Sequence, residues 1–122
     1  MMRVKYKVQS ASTLAVFRVR NRSNQDLGTI EELMIDPASG RVAYAVLCLG
    51  GFLGFGDKLF AIPWSMLMLQ QEDRVFVLDV ERQVLENAPG FDADDWPDFG
   101  DELWGAEVHN YYGRQPYWSF SS

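Results

Sequence analysis

The stretch Arg41-Val-Ala-Tyr-Ala-Val-Leu-Cys-Leu49 is apolar at eight consecutive positions after its arginine. It follows Asp36-Pro-Ala-Ser-Gly40, in which proline presets φ and glycine accepts a positive φ, so a tight turn is predicted. Leu27–Asp36, before this turn, is predicted to be a strand, and the two strands form a hairpin. Because both alternating sets of side chains in 42–49 are apolar, the second strand should be buried on both faces. Its outer cover would come from the C-terminal segment or from a second subunit.

Further elements are predicted on either side of this hairpin. Regular alternation in Leu27–Asp36 would place Leu27 and Leu33 on one face and Ile30 on the other. Strands are also predicted at Leu14–Arg20, Leu59–Ile62, Met66–Leu69 and Arg74–Val80, and a short helix at Glu81–Ala88. Asp101 is expected to cap a second helix that runs to about Tyr112, with Leu103 on its apolar side and Gly113 at its end.

Size and composition favour one domain with its own core. The chain has 122 residues, of which 48% are hydrophobic and 14% aromatic, and a domain of this size folds without disulfides. The single cysteine, Cys48, excludes an internal disulfide and is predicted to be a buried apolar residue. The N-terminus lacks the apolar region of a signal peptide, and the longest apolar run is too short to span a membrane. A cytoplasmic location is therefore expected.

The net charge of −6 is distributed unevenly along the chain. Residues 1–22 contain six basic side chains and no acidic one, whereas residues 23–122 carry 5 basic and 17 acidic side chains. An acidic chain is a poor general binder of nucleic acid, because contacts to phosphates dominate that affinity. The exception would be the basic stretch, where Arg18, Arg20 and Arg22 are the candidate contacts to a nucleic acid.

The pattern of the central residues resembles that of the PRC-barrel domain family. The similarity lies in five segments in the same order and spacing: Leu27-Gly-Thr-Ile30, Leu33-Met-Ile-Asp36, Gly40-Arg-Val-Ala-Tyr-Ala-Val-Leu47, Gly50-Gly-Phe-Leu-Gly54 and Lys58-Leu-Phe-Ala-Ile-Pro-Trp64. The remaining chain, with Trp96-Pro97 and Tyr111-Tyr-Gly113, is similar to the tail of stand-alone bacterial members.

This resemblance implies a mostly β fold: a small PRC-type β-barrel of about five or six strands, with a short helix and an aromatic, acidic C-terminal extension. The expected organisation is a basic lead-in at 1–11, the PRC-barrel domain at 12–88 and the extension at 89–122, packed on the barrel. Relatives include the cytoplasmic domain of the photosynthetic reaction centre H subunit and the C-terminal domain of a ribosome-maturation factor. Both work largely by binding other macromolecules, and a chain without the membrane anchor of the first or the preceding domain of the second is expected to have neither of their roles.

The residues provide little support for catalysis or for a bound cofactor. The glycine-rich run at 50–56 lacks the Lys-Ser or Lys-Thr of a phosphate loop. Carboxylates at 92–98 are interrupted by Trp96-Pro97 and do not complete a calcium loop. His109 is the only histidine and has no cysteine nearby to complete a zinc site, and Ser65 lacks the flanking glycines of a nucleophile elbow. No catalytic residue, metal or cofactor is therefore assigned.

The sequence is interpreted as a non-enzymatic protein-interaction module that acts as a homodimer with an unidentified protein partner. The candidate interaction residues are aromatic or aliphatic: Tyr44, Phe52, Leu53, Phe55, Trp64, Trp96 and Trp104. One alternative is an accessory protein in RNA processing or ribosome assembly, which would use the basic stretch. A second alternative is a small-ligand or metal-binding protein.

Overall fold

The computed structural model describes residues 8–50 and 58–119. Seven strands lie in one mixed sheet with the order β5-β6-β1-β2-β3-β4-β7. The strands are β1 (Arg18–Arg20), β2 (Asp26–Asp36), β3 (Arg41–Leu49), β4 (Lys58–Pro63), β5 (Leu67–Gln70), β6 (Val75–Leu78) and β7 (Phe91–Asp92). The helices are α1 (Ala11–Leu14), α2 (Arg82–Glu86) and α3 (Glu102–Tyr111), with single 3₁₀ turns at Trp64–Met66 and Tyr117–Ser119.

The mostly β prediction is confirmed, but the sheet is not seen to close. Within the described ranges, no strand pairing joins the edge strands β5 and β7. Neighbouring strands are antiparallel except for β1 and β6, which pair in parallel from Arg18 opposite Val75 to Arg20 opposite Val77. This parallel pair therefore links β1, the first strand, to the hairpin of β5 and β6.

The predicted strand at Leu14–Arg20 is shorter than expected. The Ser10 side chain accepts a hydrogen bond from the Thr13 backbone N–H at 3.1 Å and caps α1. A serine cap satisfies a donor that would otherwise be unpaired at a helix start, so the chain makes one helical turn before β1. Leu14 is thus a buried helix residue, and only Arg18–Arg20 are extended.

Regular alternation along β2 was also a wrong prediction. The β2–β3 register shifts between Ile30 and Glu32 and again between Met34 and Ile35. A β-bulge inserts an extra residue and reverses the facing of the side chains beyond it. The β1–β2 register shifts as well, at Leu27, which lies between the partners of Val19 and Arg20. With irregularities on both sides of Ile30, the side chains of Leu27, Ile30 and Leu33 all pack on the main core, the cluster that also contains Val19, Leu47 and Phe60.

Gly28 lies where β2 passes closest to β3. Its φ is +128°, and a Cβ at this position would overlap the Cys48 carbonyl oxygen. Glycine alone has both this backbone freedom and the missing side chain. The absence of a side chain at Gly28 therefore lets β2 and β3, the two longest strands of the sheet, pack closely at this position.

β3 is buried on both faces over residues 43–47, as the sequence predicts, whereas Cys48, which was expected to be buried, is half-buried near the end of the strand. Ala45, Leu47 and Leu49 join the main core with residues such as Phe60 and Leu85. On the opposite side, a second core contains Ala43, Tyr44, Ala61 and Val108. Val108 belongs to α3, so the outer cover is supplied by residues 89–119 of the same chain, named here the C-terminal segment.

α3 starts and ends as predicted. The Asp101 carboxylate accepts a hydrogen bond from the Leu103 N–H at 2.9 Å, and Glu102 adds negative charge at the positive end of the helix dipole. Gly113, with a φ of +69°, follows the helix and lets the Arg114 N–H reach the His109 carbonyl at 2.9 Å. Leu103, however, is 81% exposed, so its predicted place on the apolar side of the helix is wrong.

Candidate functional site

Tyr44 lies at the centre of an aromatic cluster where β3 meets the C-terminal segment. Its ring centroid is 5.3 to 5.6 Å from four other rings, those of Phe99, Trp104, His109 and Tyr117. Edge-on and tilted contacts at these separations are favourable. Two residues predicted for interaction, Tyr44 and Trp104, are thus brought together, but inside the chain, where Tyr44 is fully buried.

His109 presents a hydrogen-bond acceptor that its surroundings leave unused. Its Nδ1 lies 2.7 Å from the Gly105 carbonyl oxygen, and since a carbonyl only accepts, Nδ1 carries the proton. Nε2 is then an acceptor, and it has no hydrogen-bond partner among the described residues. Burial lowers the pKa of His109, so the imidazole is neutral at pH 7.

A cavity of about 650 Å³ lies beside the aromatic cluster. It is bounded by the β2–β3 turn, the end of β4 and the C-terminal segment. Three aromatic side chains, those of Trp64, Tyr117 and Trp118, form part of its wall, and His109 lines it as well. The other lining residues are Asp36, Ser39, Arg41, Val42, Ala43, Pro63 and Ser65. Aromatic walls with a few polar groups are typical of binding sites.

The charged groups of this cavity lie at its turn end. Asp36 and Arg41 are opposite each other in the β2–β3 register. The Asp36 carboxylate accepts hydrogen bonds from the Ala38 N–H at 3.2 Å and the Ser39 hydroxyl at 2.8 Å, so the turn itself holds it in place. The pKa of Tyr117 is raised first by burial and then by the charges of Asp36 and Glu102.

The two remaining tryptophans of the prediction occupy different surroundings. Trp64 packs edge-on against Phe76 of the main core, with ring centroids 5.8 Å apart, and also lines the cavity. Trp96 contacts Phe91 and Phe99, and its indole N–H donates to the Ala93 carbonyl at 2.7 Å. Trp96 is 38% exposed, so one part of its ring faces solvent.

Three predicted interaction residues, Phe52, Leu53 and Phe55, lie outside the described residues. The candidate nucleic-acid contacts are described, and each has a polar neighbour. Arg18 pairs with Asp26, and Arg22 with Asp79 at 3.1 Å. Arg20 donates to the side-chain oxygens of Asn24 and Gln70 at 2.9 and 3.0 Å. These guanidinium groups therefore face partners within the chain.

Several residues of the site were not selected from the sequence. Phe99, Tyr117 and Trp118 were assigned only to an aromatic extension, and His109 was considered only as a catalyst or metal ligand. The one indication in the sequence is the spacing of His109 and Gly105, because residues four apart lie on one face of a helix and can contact each other. No sequence pattern indicated that Asp36, in the hairpin turn, would lie near Tyr117.

The described ranges contain neither a metal-binding cluster nor a membrane-spanning helix. Residues 8–50 and 58–119 contain no group of three or more His, Cys, Asp or Glu side chains arranged to hold a metal ion. In the same part of the chain, every helix is too short or too polar to cross a membrane.

The family match spans strands β1 to β6 and ends before β7 and the C-terminal segment. The family model described as the PRC-barrel domain matches residues 8–85. Among solved structures, the chain is similar to a 16S ribosomal RNA processing protein, RimM, from Pseudomonas aeruginosa, with 16% sequence identity and a TM-score of 0.41. That match covers 68% of this chain and 50% of the other, so the chain spans half the length of the protein it matches. None of the curated proteins matches the chain.

Proposed function

This chain belongs to the PRC-barrel domain family, and on that premise we propose that it is a non-enzymatic protein-interaction module that works in the cytoplasm. The observation that carries the proposal is the outer surface of the C-terminal segment. Four large apolar side chains of this segment remain exposed: Trp96, Leu103, Tyr111 and Trp118. Three of them are aromatic, the class most enriched at the centres of protein interfaces.

Leu103 gives the strongest support within this set. It lies in the first turn of α3, directly before Trp104, whose ring packs against Tyr44. The helix is therefore fixed in orientation by its inner side while Leu103 is presented to solvent. A rigid, exposed leucine binds a partner without first losing the freedom of a mobile segment.

We further propose that the partner surface includes a second copy of the chain. The apolar outer face of β3 suggested a dimer, but the C-terminal segment covers that face, so the dimer proposal now depends on the exposed side chains. Light scattering after size exclusion should give about twice the 13.9 kDa chain mass. Leu103→Asp should reduce the mass to that of one chain, whereas Val16→Asp, which changes a residue 72% exposed and outside the segment, should not. One-chain mass at every concentration of the unchanged protein would exclude the dimer.

Affinity capture from a nuclease-treated lysate tests the wider proposal. The expected result is a protein retained by the unchanged chain and by Val16→Asp but lost with Leu103→Asp or Trp118→Ser. Retention by all four would place the contact elsewhere and refute this surface. Partners that vanish after nuclease treatment would support the RNA-linked alternative, because the phosphate backbone would then mediate the contact.

A second candidate function, binding of a small ligand, is favoured by the cavity alone. Its volume of about 650 Å³ matches that of a drug-sized ligand site. A ligand that binds only the native state must raise its Tm. Thermal-shift screening should therefore find a metabolite that stabilises the unchanged chain but not Ser65→Trp, in which an indole would occupy the cavity. Equal shifts in both proteins would contradict this function for that metabolite.

A further inference from the structure

The cavity beside the aromatic cluster has the chemistry of a receptor for a positive charge. Its wall contains the rings of Trp64, Tyr117 and Trp118. A cation placed over an aromatic face is attracted by the negative face of the ring, and indoles are the strongest partners. Two of the three rings are indoles, so this wall favours an ammonium or guanidinium group.

The histidine of the cavity wall does not favour an anion. His109 lines the cavity, is 1% exposed, and its Nδ1 proton is donated to the Gly105 carbonyl at 2.7 Å. With that proton on Nδ1, Nε2 carries none, so the ring offers no N–H to a carboxylate or phosphate. Nothing on this residue therefore opposes the preference of the aromatic wall for a cation.

The surrounding charges add an electrostatic attraction. Among the lining residues, Asp36 and Arg41 carry opposite charges and lie opposite each other in the β2–β3 register, so the lining itself is close to neutral. Glu102 adds a second carboxylate close enough to raise the pKa of Tyr117. Residues 92–107 contain seven acidic side chains and no Lys or Arg, within a chain of net charge −6. Such a field speeds the approach of a basic partner and repels an acidic one.

We propose that the cavity bounded by Asp36, Trp64, His109, Tyr117 and Trp118 receives a lysine or arginine side chain of the protein partner. This inference depends on the proposed function, since it names the chemistry by which the partner is recognised. The ammonium or guanidinium group lies against the aromatic wall, where the carboxylate of Asp36 offsets the charge of Arg41 and Glu102 adds attraction. Trp118, which is both exposed and part of this wall, contacts the apolar residues that flank the basic side chain.

The test measures binding of small probes to the full chain by NMR. Acetyl-lysine-methylamide and acetyl-arginine-methylamide, with free side chains, are the basic probes, and acetyl-glutamine-methylamide is the neutral control. The basic probes should shift the indole N–H signals of Trp64 and Trp118 saturably, with the signal of Trp96 unchanged. Added salt should weaken the binding. Equal shifts with the glutamine probe would overturn the proposal.

Variants of Asp36 and Asp98 test which carboxylate of the protein attracts the basic probes. Asp36→Asn keeps an oxygen for the Ala38 N–H and removes the charge, so affinity for the basic probes should fall about twofold to fivefold. Asp98→Asn is the matched control, because Asp98 also accepts a backbone N–H, that of Gly100, but does not line the cavity. Ser65→Trp should block the shifts altogether. Unchanged affinity in both Asp36→Asn and Ser65→Trp would refute the site.

The same variants separate this inference from the proposed function. A partner captured equally by the unchanged chain and by Asp36→Asn, but lost with Leu103→Asp, would support the interaction module and refute the basic side chain in the cavity. Probe binding at Trp64 and Trp118 without any captured partner would support the cation site and refute the interaction module.

Discussion

Helix α3 packs against the sheet at Gly105, where there is no room for a side chain. A Cβ at this position would lie 2.7 Å from the Tyr44 hydroxyl oxygen and 3.0 Å from Cζ3 of Trp118. Tyr44 is fully buried and surrounded by rings, so its hydroxyl cannot move aside without displacing them. The glycine therefore allows the helix and the aromatic cluster to pack together.

We expect Gly105→Ala to lower the free energy of unfolding by about 1–3 kcal/mol, the usual cost of overpacking. This would occur although alanine is intrinsically better than glycine in a helix by about 1 kcal/mol. Urea unfolding measures the change. Tyr44→Phe removes the closer of the two groups that the new methyl would meet and leaves the Trp118 ring, so the double variant should recover part of the loss. A Gly105→Ala protein at least as stable as the unchanged chain would contradict the close packing.

His109 predicts a dependence of stability on pH. Its pKa in the folded chain is lowered from 6.5 by burial, so on acidification the unfolded chain binds a proton before the folded chain does. Stability from this residue is complete above pH 6.5 and is lost as the pH falls towards the folded value. The free energy of unfolding should decline with a slope of up to about 1.4 kcal/mol per pH unit.

Urea unfolding at a series of pH values between 7 and 5 tests this prediction. His109→Gln lacks a titratable side chain and serves as the control, because carboxylates elsewhere titrate equally in both proteins. The difference in free energy of unfolding between the unchanged chain and His109→Gln should shrink as the pH falls. A constant difference across the range would show that His109 does not titrate differently in the two states.

At the scale of elements, the C-terminal segment covers β3, and two of its three tryptophans, Trp96 and Trp104, contribute unequally to that cover. Trp104 is half-buried and contacts Tyr44 and, at 4.7 Å between ring centroids, Phe99. Trp96 contacts the cover itself and is more exposed. Of these two tryptophans, Trp104 is the one whose ring packs directly on β3, beside the contacts that Phe99, His109 and Tyr117 make with Tyr44.

Trp104→Ala should therefore destabilise the chain by about 2–4 kcal/mol, somewhat below the cost for a fully buried tryptophan. Trp96→Ala, the matched control, should cost about half as much or less. Chemical denaturation gives both values, and dye binding should increase only in Trp104→Ala as the apolar face of β3 becomes accessible. Equal losses in the two variants would show that the cover is not held through Trp104.

Elements that are determined by neighbouring residues in the chain could be predicted from the sequence. Features that depend on contacts between residues far apart in the chain could not. The hairpin of β2 and β3 follows from proline and glycine in its turn, and α3 from the Asp101 cap and Gly113. The bulges in β2 left no mark in the sequence because they adjust one strand to its neighbour. The parallel pairing of β1 with β6 joins residues more than fifty positions apart, beyond the reach of any periodicity.

At the scale of the whole molecule, the aromatic composition predicted a packed C-terminal segment, and the apolar β3 predicted that something covers its outer face. Neither pattern indicated which side chains meet. The cavity exists because the β2–β3 turn, the end of β4 and the Tyr117–Ser119 turn converge in space. Such convergence depends on tertiary packing, so Asp36 and His109 could not be selected from the sequence.

The late position of the cover in the chain affects the protein while it is being synthesised. Tyr44 pairs with Pro63 across β3 and β4, but Trp118 emerges about 55 residues later. At 5–20 residues per second, that interval lasts roughly 3 to 11 s. During this time the apolar face of the nascent sheet is exposed to other emerging chains, and chaperones that bind apolar surface have seconds in which to act on it.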